Sequence, residues 1–265
     1  MNHSSISTSS IVEKHFSGRV QEYDESASLQ REVARKLGRS LEPWRLTLPP
    51  GPVLEVGAGT GYLTEELYRL FPERELTATD LSPAMVEWCR ERLSGMGDVR
   101  FDQMDAESFE PNENRYALVA SSFATQWFRD PALTLERFAE ALLPGGLLLA
   151  SFPGEDSFPE WRELCVELGL PWTGNPFPKT EEMVIKLSMG PSQVDYYEEP
   201  AQVSFPDALS FFRHLKQIGA DASLHGKQLP AKDFRLLLRE WDRRRGGKPL
   251  QVTWHLVFLA LKRDS

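Results

Sequence analysis

A glycine-rich stretch in the first third of the chain is the clearest sign of chemistry in this sequence. Leu54-Glu55-Val56-Gly57-Ala58-Gly59-Thr60-Gly61 places three glycines at alternate positions, between an apolar run and an amphipathic segment. Glycine at a strand-to-helix turn lets the backbone approach a ligand closely, because no Cβ stands in the way. A dinucleotide-binding fingerprint has its third glycine at the sixth position, which here is Tyr62. The spacing, with Glu55 two residues before the first glycine, therefore favours a nucleoside with an amino acid tail over a pyrophosphate.

Carboxylates follow the next two predicted strands. Asp80 ends the second strand within Asp80-Leu81-Ser82-Pro83, where an acidic side chain can accept hydrogen bonds from ribose hydroxyls. Asp105, in Met104-Asp105-Ala106-Glu107, follows the third strand, where a carboxylate can accept from an adenine amino group. A polar and aromatic segment, 121–127, follows the fourth. A helix cap or a surface turn would explain either carboxylate alone. Ligands of open α/β sheets bind at the carboxyl ends of the strands, so the four segments together predict a nucleoside site.

The elements that position these segments alternate between short apolar strands and longer helices. Such alternation is typical of a parallel sheet with helices on both faces. Apolar residues at helical spacing from 11 to 41 predict two further helices, with a break near Asp24-Glu25-Ser26. The core pattern predicts strands at 53–56, 76–79, 99–103, 117–121 and 147–152, and helices at 62–70, 83–93 and 133–142.

The second half of the chain has a different pattern, with longer connections and a loop rich in proline and glycine. The predicted fold class is α/β: a doubly wound, mostly parallel seven-stranded sheet with N-terminal helices and helical insertions that roof the cleft. The second half predicts strands at 194–205 and 253–261, helices at 158–169, 180–188, 206–218 and 231–244, and the loop at 171–178. The predicted organisation is a disordered lead-in at 1–10, N-terminal cap helices at 11–50, a Rossmann-like cofactor-binding core at 51–152, helical cap insertions with the sixth strand at 153–250, and the final strand at 251–265.

Composition narrows the class of partner and the compartment. The net charge of −9 and a pI near 5.2 argue against nucleic acid as the main partner, since duplex binding needs a basic footprint. No apolar run reaches the ~18 residues of a membrane span, and the N-terminus lacks the pattern of a signal peptide. Cys89 and Cys165 have no paired spacing and the five histidines have no ligand spacing, so we expect neither a disulfide framework nor a metal site. The expected location is a reducing cytoplasm.

The stretch from about 50 to 152 resembles the class I methyltransferases, which use S-adenosylmethionine. The resemblance is carried by the glycine loop, the acidic end of the second strand, the Asp105 segment and Leu142-Leu143-Pro144-Gly145-Gly146. It implies that the glycine loop borders the methionine part of the cofactor, that Asp80 holds the ribose and that Ser122 faces the sulfonium. The residues expected at the cofactor are Glu55, Gly57, Ala58, Gly59, Gly61, Asp80, Leu81, Met85, Asp105, Ala106 and Ser122, with Met104 beside the adenine.

The flanking segments are similar to the malonyl-acyl-carrier-protein O-methyltransferases of biotin synthesis. This similarity implies methylation of the free carboxylate of a malonyl thioester on an acidic acyl carrier protein. The methyl ester would then enter fatty-acid elongation toward pimeloyl and biotin. A carboxylate is already ionised at pH 7, so no general base is required. The segments that carry the similarity are Phe16-Ser17-Gly18-Arg19, Tyr23-Asp24, Ala27-Ser28-Leu29-Gln30-Arg31, Phe123-Ala124-Thr125-Gln126-Trp127, Phe205-Pro206-Asp207-Ala208-Leu209, Arg213-His214-Leu215-Lys216-Gln217-Ile218-Gly219-Ala220 and Leu250-Gln251-Val252-Thr253-Trp254-His255.

Candidate substrate residues follow from that chemistry, which needs alignment and apolar walls rather than a catalytic triad. Arg213 and Lys216, three apart on one predicted helix, are the candidates for gripping the carboxylate, although such cations more often extend into solvent. Tyr23 is the candidate to close over the donor methyl, with a place in the core as its alternative. The candidate tunnel residues are Phe16, Phe123, Gln126 and Trp127.

A basic stripe near the C-terminus is the candidate docking surface for the carrier protein. Arg235, Arg239 and Arg243 repeat at i, i+4 and i+8 along the predicted helix 231–244. On a chain of charge −9 this cluster could steer an acidic partner, although a charge run is more often a solvated face.

Three other functions stay open at this point. The protein could methylate another small acid, or bind the cofactor without catalysis. An NAD-dependent oxidoreductase is disfavoured by Tyr62, which occupies the place of the third glycine. The pattern leaves the oligomeric state undecided.

Overall fold

The computed structural model describes residues 20–111, 114–219 and 228–264, which form a seven-stranded sheet with flanking helices. The predicted lead-in at 1–10 and the tunnel candidate Phe16 lie outside the described residues. The strands are β1 (Val53–Val56), β2 (Leu76–Asp80), β3 (Val99–Gln103), β4 (Tyr116–Ser122), β5 (Leu142–Pro153), β6 (Ser192–Phe205) and β7 (Leu250–Arg263). The helices are α1 (Val20–Ser26), α2 (Ser28–Ser40), α3 (Tyr62–Leu70), α4 (Pro83–Arg92), α5 (Pro131–Glu140), α6 (Pro159–Glu167), α7 (Thr180–Leu187), α8 (Ala208–Gln217) and α9 (Ala231–Arg244).

The strand order in the sheet is β3-β2-β1-β4-β5-β7-β6. Strands β1 to β5 pair in parallel, while β7 runs antiparallel to both β5 and β6. The predicted fold class, a doubly wound and mostly parallel seven-stranded sheet, is confirmed. The chain order reverses beside β1, whose neighbours are β2 and β4. This is the switch point at which such sheets bind their ligands.

Both faces of the central strands β1, β4 and β5 are buried, because helices cover both sides of the sheet there. Val53 belongs to the hydrophobic core on one face, whereas its neighbours Leu54 and Val56 belong to the core on the other. Leu147 and Leu148 of β5 divide between the two cores in the same way. A strand that is buried on both sides has apolar residues at successive positions. The short apolar runs in the sequence therefore predicted these strands correctly.

The largest boundary differences lie around β5. The helix predicted at 133–142 is α5, which starts at Pro131 and ends at Glu140, because Asp130 caps it by accepting from the Leu133 amide at 3.1 Å. The strand predicted at 147–152 starts earlier, at Leu142, and its pairing with β4 has an irregularity before Leu147. The final strand is also longer than predicted, and the N-terminal helices separate at Ala27, one residue beyond the predicted break.

Two further observations concern the described residues as a set. No helix in 20–111, 114–219 or 228–264 is long and apolar enough to cross a membrane. Within the same ranges, no group of three or more His, Cys, Asp or Glu side chains is placed to hold a metal ion. Cys89 and Cys165 are both buried and free.

Candidate active site

The glycine loop follows β1 and requires its glycines for two physical reasons. Gly57, Gly59 and Gly61 have φ values of +73°, +54° and +88°, a region that side chains with a Cβ rarely adopt. A Cβ on Gly57 would lie 2.3 Å from the Cβ of Ala124, and one on Gly61 would lie 2.6 Å from the sulfur of Cys89. Gly57 thus lets the loop pass close to the end of β4, while Gly61 lets α3 start against α4.

Asp80 ends β2 and holds the glycine loop in place. Its Oδ2 accepts a hydrogen bond from the Gly59 amide at 2.9 Å, and its Oδ1 accepts from the Ser82 amide at 2.8 Å. Burial raises the pKa of the Asp80 carboxyl, and the backbone amides oppose that rise. Each carboxylate oxygen can accept more than one hydrogen bond, so Asp80 retains capacity for the ribose hydroxyls that the sequence predicted there.

Glu55 is a buried acidic residue of the cleft with one unsatisfied oxygen. Its side chain is 1% exposed and its Oε2 has no hydrogen-bond partner. Burial, followed by the nearby Asp80 charge, raises its pKa to about 8. A buried acceptor of this kind needs a donor, and a cationic donor would also favour the ionised carboxylate. The amino group of a methionine tail has that chemistry, so the residues present fit S-adenosylmethionine.

The cleft beside the glycine loop brings together most of the predicted cofactor residues. They come from the ends of β1, β2, β3 and β4, as the sheet topology requires. Gly61 does not line the cleft, because it packs against α4 instead. The Asp105 carboxylate accepts from the Glu107 amide at 3.0 Å and caps a short turn there. The predicted residues that line the cleft are Glu55, Gly57, Ala58, Gly59, Asp80, Leu81, Met85, Asp105, Ala106 and Ser122, together with Met104.

Tyr62, at the sixth position of the glycine stretch, fastens the N-terminal helices over the cleft. Its hydroxyl donates to the Asp24 carboxylate of α1 at 2.7 Å and accepts from Arg31 of α2, also at 2.7 Å. Arg31 and Arg92 lie over the ring of Tyr62, 4.6 and 4.9 Å from its centre, and Arg92 donates to the Thr60 carbonyl at 2.6 Å. A glycine at position 62 would leave this connection unmade.

A second, larger cavity of about 330 Å³ lies next to the cleft. Its walls are mainly apolar and rich in aromatic residues, and none of the described residues that line it is charged. The loop at 171–178, whose course the sequence did not predict, contributes residues 173–177 to one wall. Small-molecule sites commonly have this volume and this apolar character. The aromatic residues that line the cavity are Tyr23, Phe123, Trp127, Phe158, Trp161, Phe177, Phe212, Phe234 and Trp254.

Four side chains line both the cleft and the large cavity: Tyr23, Gln30, Phe123 and Trp127. They mark the place where a ligand in one cavity meets a ligand in the other. Burial and then the Asp80 charge raise the pKa of Tyr23, so its hydroxyl is neutral at physiological pH. Phe123 has a φ of +56°, a strained conformation that recurs at functional sites. The predicted tunnel residue Gln126 lines the large cavity alone, and its Nε2 donates to the Phe123 carbonyl at 2.7 Å.

The predicted cationic grip is not at the cavity. Arg213 and Lys216 are exposed and line neither cavity. Phe212 and Leu215, which precede them on α8, line the large cavity instead. Successive helical residues are separated by about 100°, so a helix that turns Phe212 and Leu215 inward turns its cations outward. Placing the grip on Arg213 and Lys216 therefore has no support from the geometry.

The basic stripe lies on the exposed face of α9. Arg235, Arg239 and Arg243 are all exposed, and Leu237 on the opposite face is fully buried. Glu240 pairs with two of them, at 3.5 Å from Arg239 and 2.8 Å from Arg243, and this reduces their net positive potential. The stripe therefore carries both positive and negative side chains, with arginine in excess.

Several cavity residues were not predicted from the sequence. Phe158 begins α6 with a φ of +64° and packs edge-on against Trp254, with ring centres 4.6 Å apart. Trp254 lies on β7, almost a hundred positions later in the chain. Gln30 and Trp161 also line the cavity from separate helices. Aromatic residues are spread over both halves of the chain, so the sequence carried no signal that these side chains converge.

Known proteins that are similar to this chain identify its family. A family model described as a methyltransferase domain matches residues 53–146. The chain is 32% identical to the malonyl-[acyl-carrier protein] O-methyltransferase of Anoxybacillus flavithermus over 261 residues, which is 95% of this chain and 96% of that protein. It is 33% identical to the biotin biosynthesis bifunctional protein BioCD of Bordetella avium over 234 residues, which is 88% of this chain and 49% of that protein. The crystal structure of YcgJ from Bacillus subtilis shares the fold, with a TM-score of 0.60 and 18% identity over 86% of this chain and 99% of that one. The chain belongs to the family of malonyl-[acyl-carrier protein] O-methyltransferases.

Proposed function

We propose that this protein methylates the free carboxylate of malonyl-[acyl-carrier protein], with S-adenosylmethionine as the methyl donor. The product is the methyl ester that enters fatty-acid elongation toward pimeloyl and biotin. The observation that carries the proposal is the meeting of two cavities at Tyr23, Gln30, Phe123 and Trp127. One cavity has the acceptors for an adenosyl amino acid, and the other is uncharged over its described lining and roomy enough for an acyl chain. Family membership sets aside the NAD-dependent oxidoreductase.

The cleft residues divide the cofactor among them. Glu55, whose Oε2 has no partner, would accept from the amino group of the methionine part. Asp80 would accept from the ribose hydroxyls while its bonds to Gly59 and Ser82 hold the glycine loop rigid. Asp105, at the end of β3, would accept from the adenine amino group. Rigid contacts of this kind would hold the reacting centre at the junction, and such orientation can lower the barrier by ~7–11 kcal/mol.

The reaction requires no acid or base from the protein. When bound, S-adenosylmethionine supplies a methyl group on a sulfonium cation, so that an O–C bond forms as the C–S bond breaks and its electrons remain on sulfur. The substrate carboxylate is already ionised at pH 7. Tyr23, with its raised pKa, stays protonated and can orient a reactant but cannot remove a proton. Metal-ligating clusters are also missing from the described part of the chain.

The walls of the large cavity, which are uncharged over the described residues, favour this chemistry. An anion and a cation react to give two neutral products, so the transition state carries less charge than the reactants. A site of low polarity solvates the separated charges poorly and the neutral products well, which lowers the barrier. The aromatic walls also exclude water, the competing solvent of the carboxylate.

The carrier protein would dock on α9. The arginine stripe of this helix faces solvent, while Phe234 in its first turn lines the large cavity. A carrier held at the stripe would therefore stand beside the cavity that must receive its acyl arm. Electrostatic attraction to an acidic partner raises the rate of encounter more than the final affinity. We place the reaction in the cytoplasm, where the buried free thiols of Cys89 and Cys165 stay reduced.

A mass-shift assay tests the proposal. Malonyl-[acyl-carrier protein] with S-adenosylmethionine should gain one methyl group, about 14 Da, and an esterase should remove it because the product is an ester of a free carboxylate. The Asp80→Asn variant is the matched control, because it keeps the shape of the side chain and removes the charge that binds the ribose. Methylation of free dicarboxylates at a rate equal to or above that of the carrier-bound substrate would contradict the proposal and favour the small-acid alternative.

A further inference from the structure

Gln30 stands at the junction of the two cavities and has no assigned role. It lies on α2, is 6% exposed, and lines both the cofactor cleft and the large cavity. Its Oε1 is buried without a hydrogen-bond partner. Leaving a buried acceptor unsatisfied costs about 1–3 kcal/mol, and no protein contact at Oε1 fixes the orientation of this amide.

The lack of a partner leaves the carboxamide of Gln30 free to serve a ligand. A glutamine amide has two donor hydrogens on Nε2 and an acceptor oxygen on the same planar group. With Oε1 unbound, rotation about the last side-chain bond can present Nε2 to either cavity without breaking a protein hydrogen bond at Oε1. Gln126 is different, because its Nε2 already donates to the Phe123 carbonyl at 2.7 Å.

Among the described residues, no cation is placed to bind the substrate carboxylate at this junction. None of the described residues that line the large cavity is charged, and Arg213 and Lys216 lie outside it. Arg31, next to Gln30 in sequence, donates to the Tyr62 hydroxyl instead. The groups at the junction that can donate a hydrogen bond are therefore neutral.

We propose that Nε2 of Gln30 donates a hydrogen bond to the substrate carboxylate at the junction and that this bond orients the attacking oxygen. This inference rests on the proposed function, whose substrate it takes as given. A cationic residue would stabilise the carboxylate before transfer and lose that stabilisation as the ester forms, which raises the barrier. A neutral donor holds the anion in place with a smaller loss. The opposite charge comes from the bound sulfonium.

The test replaces Gln30 by methionine, which has a similar length and no donor. We expect kcat/KM for malonyl-[acyl-carrier protein] to fall about 10- to 100-fold, the range for a lost hydrogen bond to a charged group. Binding of S-adenosylhomocysteine, measured by calorimetry, should change by less than about twofold, since Gln30 is not needed for the adenosyl contacts. Gln202→Met, on an exposed position of β6, is the matched control and should behave as the unmodified protein.

A second variant separates recognition of the carboxylate from general damage to the cavity. Gln30→Glu places a like charge beside the substrate and should weaken malonyl binding further. It should leave inhibition by the uncharged methyl ester product nearly unchanged, because the ester presents no negative charge.

The possible outcomes separate a failure of the proposed role of Gln30 from a failure of the proposed function. If the unmodified protein does not methylate the malonyl carrier, the proposed function fails. If it does, and Gln30→Met keeps kcat/KM within about twofold, the role of Gln30 is overturned. Equal weakening of the substrate and of its neutral ester product by Gln30→Glu would overturn it as well.

Discussion

Replacing Glu55 by glutamine should remove a pH dependence of cofactor binding. The pKa of Glu55 is raised to about 8, so about one molecule in ten carries the charged form at pH 7 and about one in a hundred at pH 6. If only the charged form binds the cofactor amino group, the apparent Kd is the intrinsic value divided by that fraction. Binding of S-adenosylhomocysteine should therefore tighten about ninefold between pH 6 and pH 7. The bound amino group is protonated throughout this range.

Calorimetry in buffers of different ionisation enthalpy provides the assay. Binding at pH 7 should release about 0.9 proton per cofactor, because the protonated fraction of Glu55 must ionise. The Glu55→Gln variant should bind more weakly at pH 8, with neither proton release nor pH dependence. A flat affinity between pH 6 and pH 7, or no proton release from the unmodified protein, would refute the reasoning.

The same residue should make the free protein less stable as the pH rises. A carboxyl group with a higher pKa in the folded state than in the unfolded state binds its proton more tightly when the protein is folded. For Glu55 the folded state is therefore favoured most below the unfolded pKa of about 4.5, and this stabilisation is lost as the pH rises to about 8. The slope is at most about 1.4 kcal/mol per pH unit. Glu55→Gln should therefore gain about 3–4 kcal/mol over the unmodified protein between pH 5 and pH 8 in denaturant unfolding without cofactor. An unchanged difference would show that Glu55 titrates normally.

Three other substitutions test separate parts of the account. Replacing both Arg239 and Arg243 by Glu should lower the turnover of carrier-linked malonate but not the turnover of a small malonyl thioester. Equal losses of turnover for the two substrates would exclude docking on α9. Gly57→Ala should reduce the free energy of unfolding by about 2–3 kcal/mol, since its Cβ would enter occupied space at a positive φ; an unfolding curve like that of the parent would contradict this. Tyr62→Phe removes the hydroxyl that bonds Arg31, and stopped-flow measurements should show faster cofactor release; an unchanged rate would mean that α1 and α2 do not retain the cofactor.

The cofactor half of the site could be predicted because it depends on local spacing. The alternation of strands and helices places each carboxyl end at one edge of the sheet, and the acidic residues at or near those ends, Glu55, Asp80 and Asp105, line one cleft. Gly61 was predicted at the cofactor for the same reason, but it does not line the cleft, and its contact with the cofactor stays a prediction. Its positive φ and its contact with α4 explain the glycine without any ligand.

The substrate half could not be predicted in the same way. Its walls come from residues far apart in the chain, such as Gln30, Phe158 and Trp254, which only the folded sheet brings together. The expectation of a cationic grip led to Arg213 and Lys216 because carboxylates usually bind cations. The amphipathic pattern of that helix already favoured an outward position for both, since its apolar residues are the ones that a core or a cavity would receive.

The central claim is that the carboxylate reacts beside the positive charge of the cofactor, in a cavity whose described lining carries no cation. The affinity of malonyl-[acyl-carrier protein] for two nonreactive complexes tests this claim directly, one with S-adenosylhomocysteine and one with sinefungin, whose amine carries the charge of the sulfonium. Two unit charges a few ångströms apart attract strongly even at an effective dielectric constant near 20, so we predict at least about tenfold tighter binding to the sinefungin complex. Equal affinities for the charged and the neutral complex would contradict the claim.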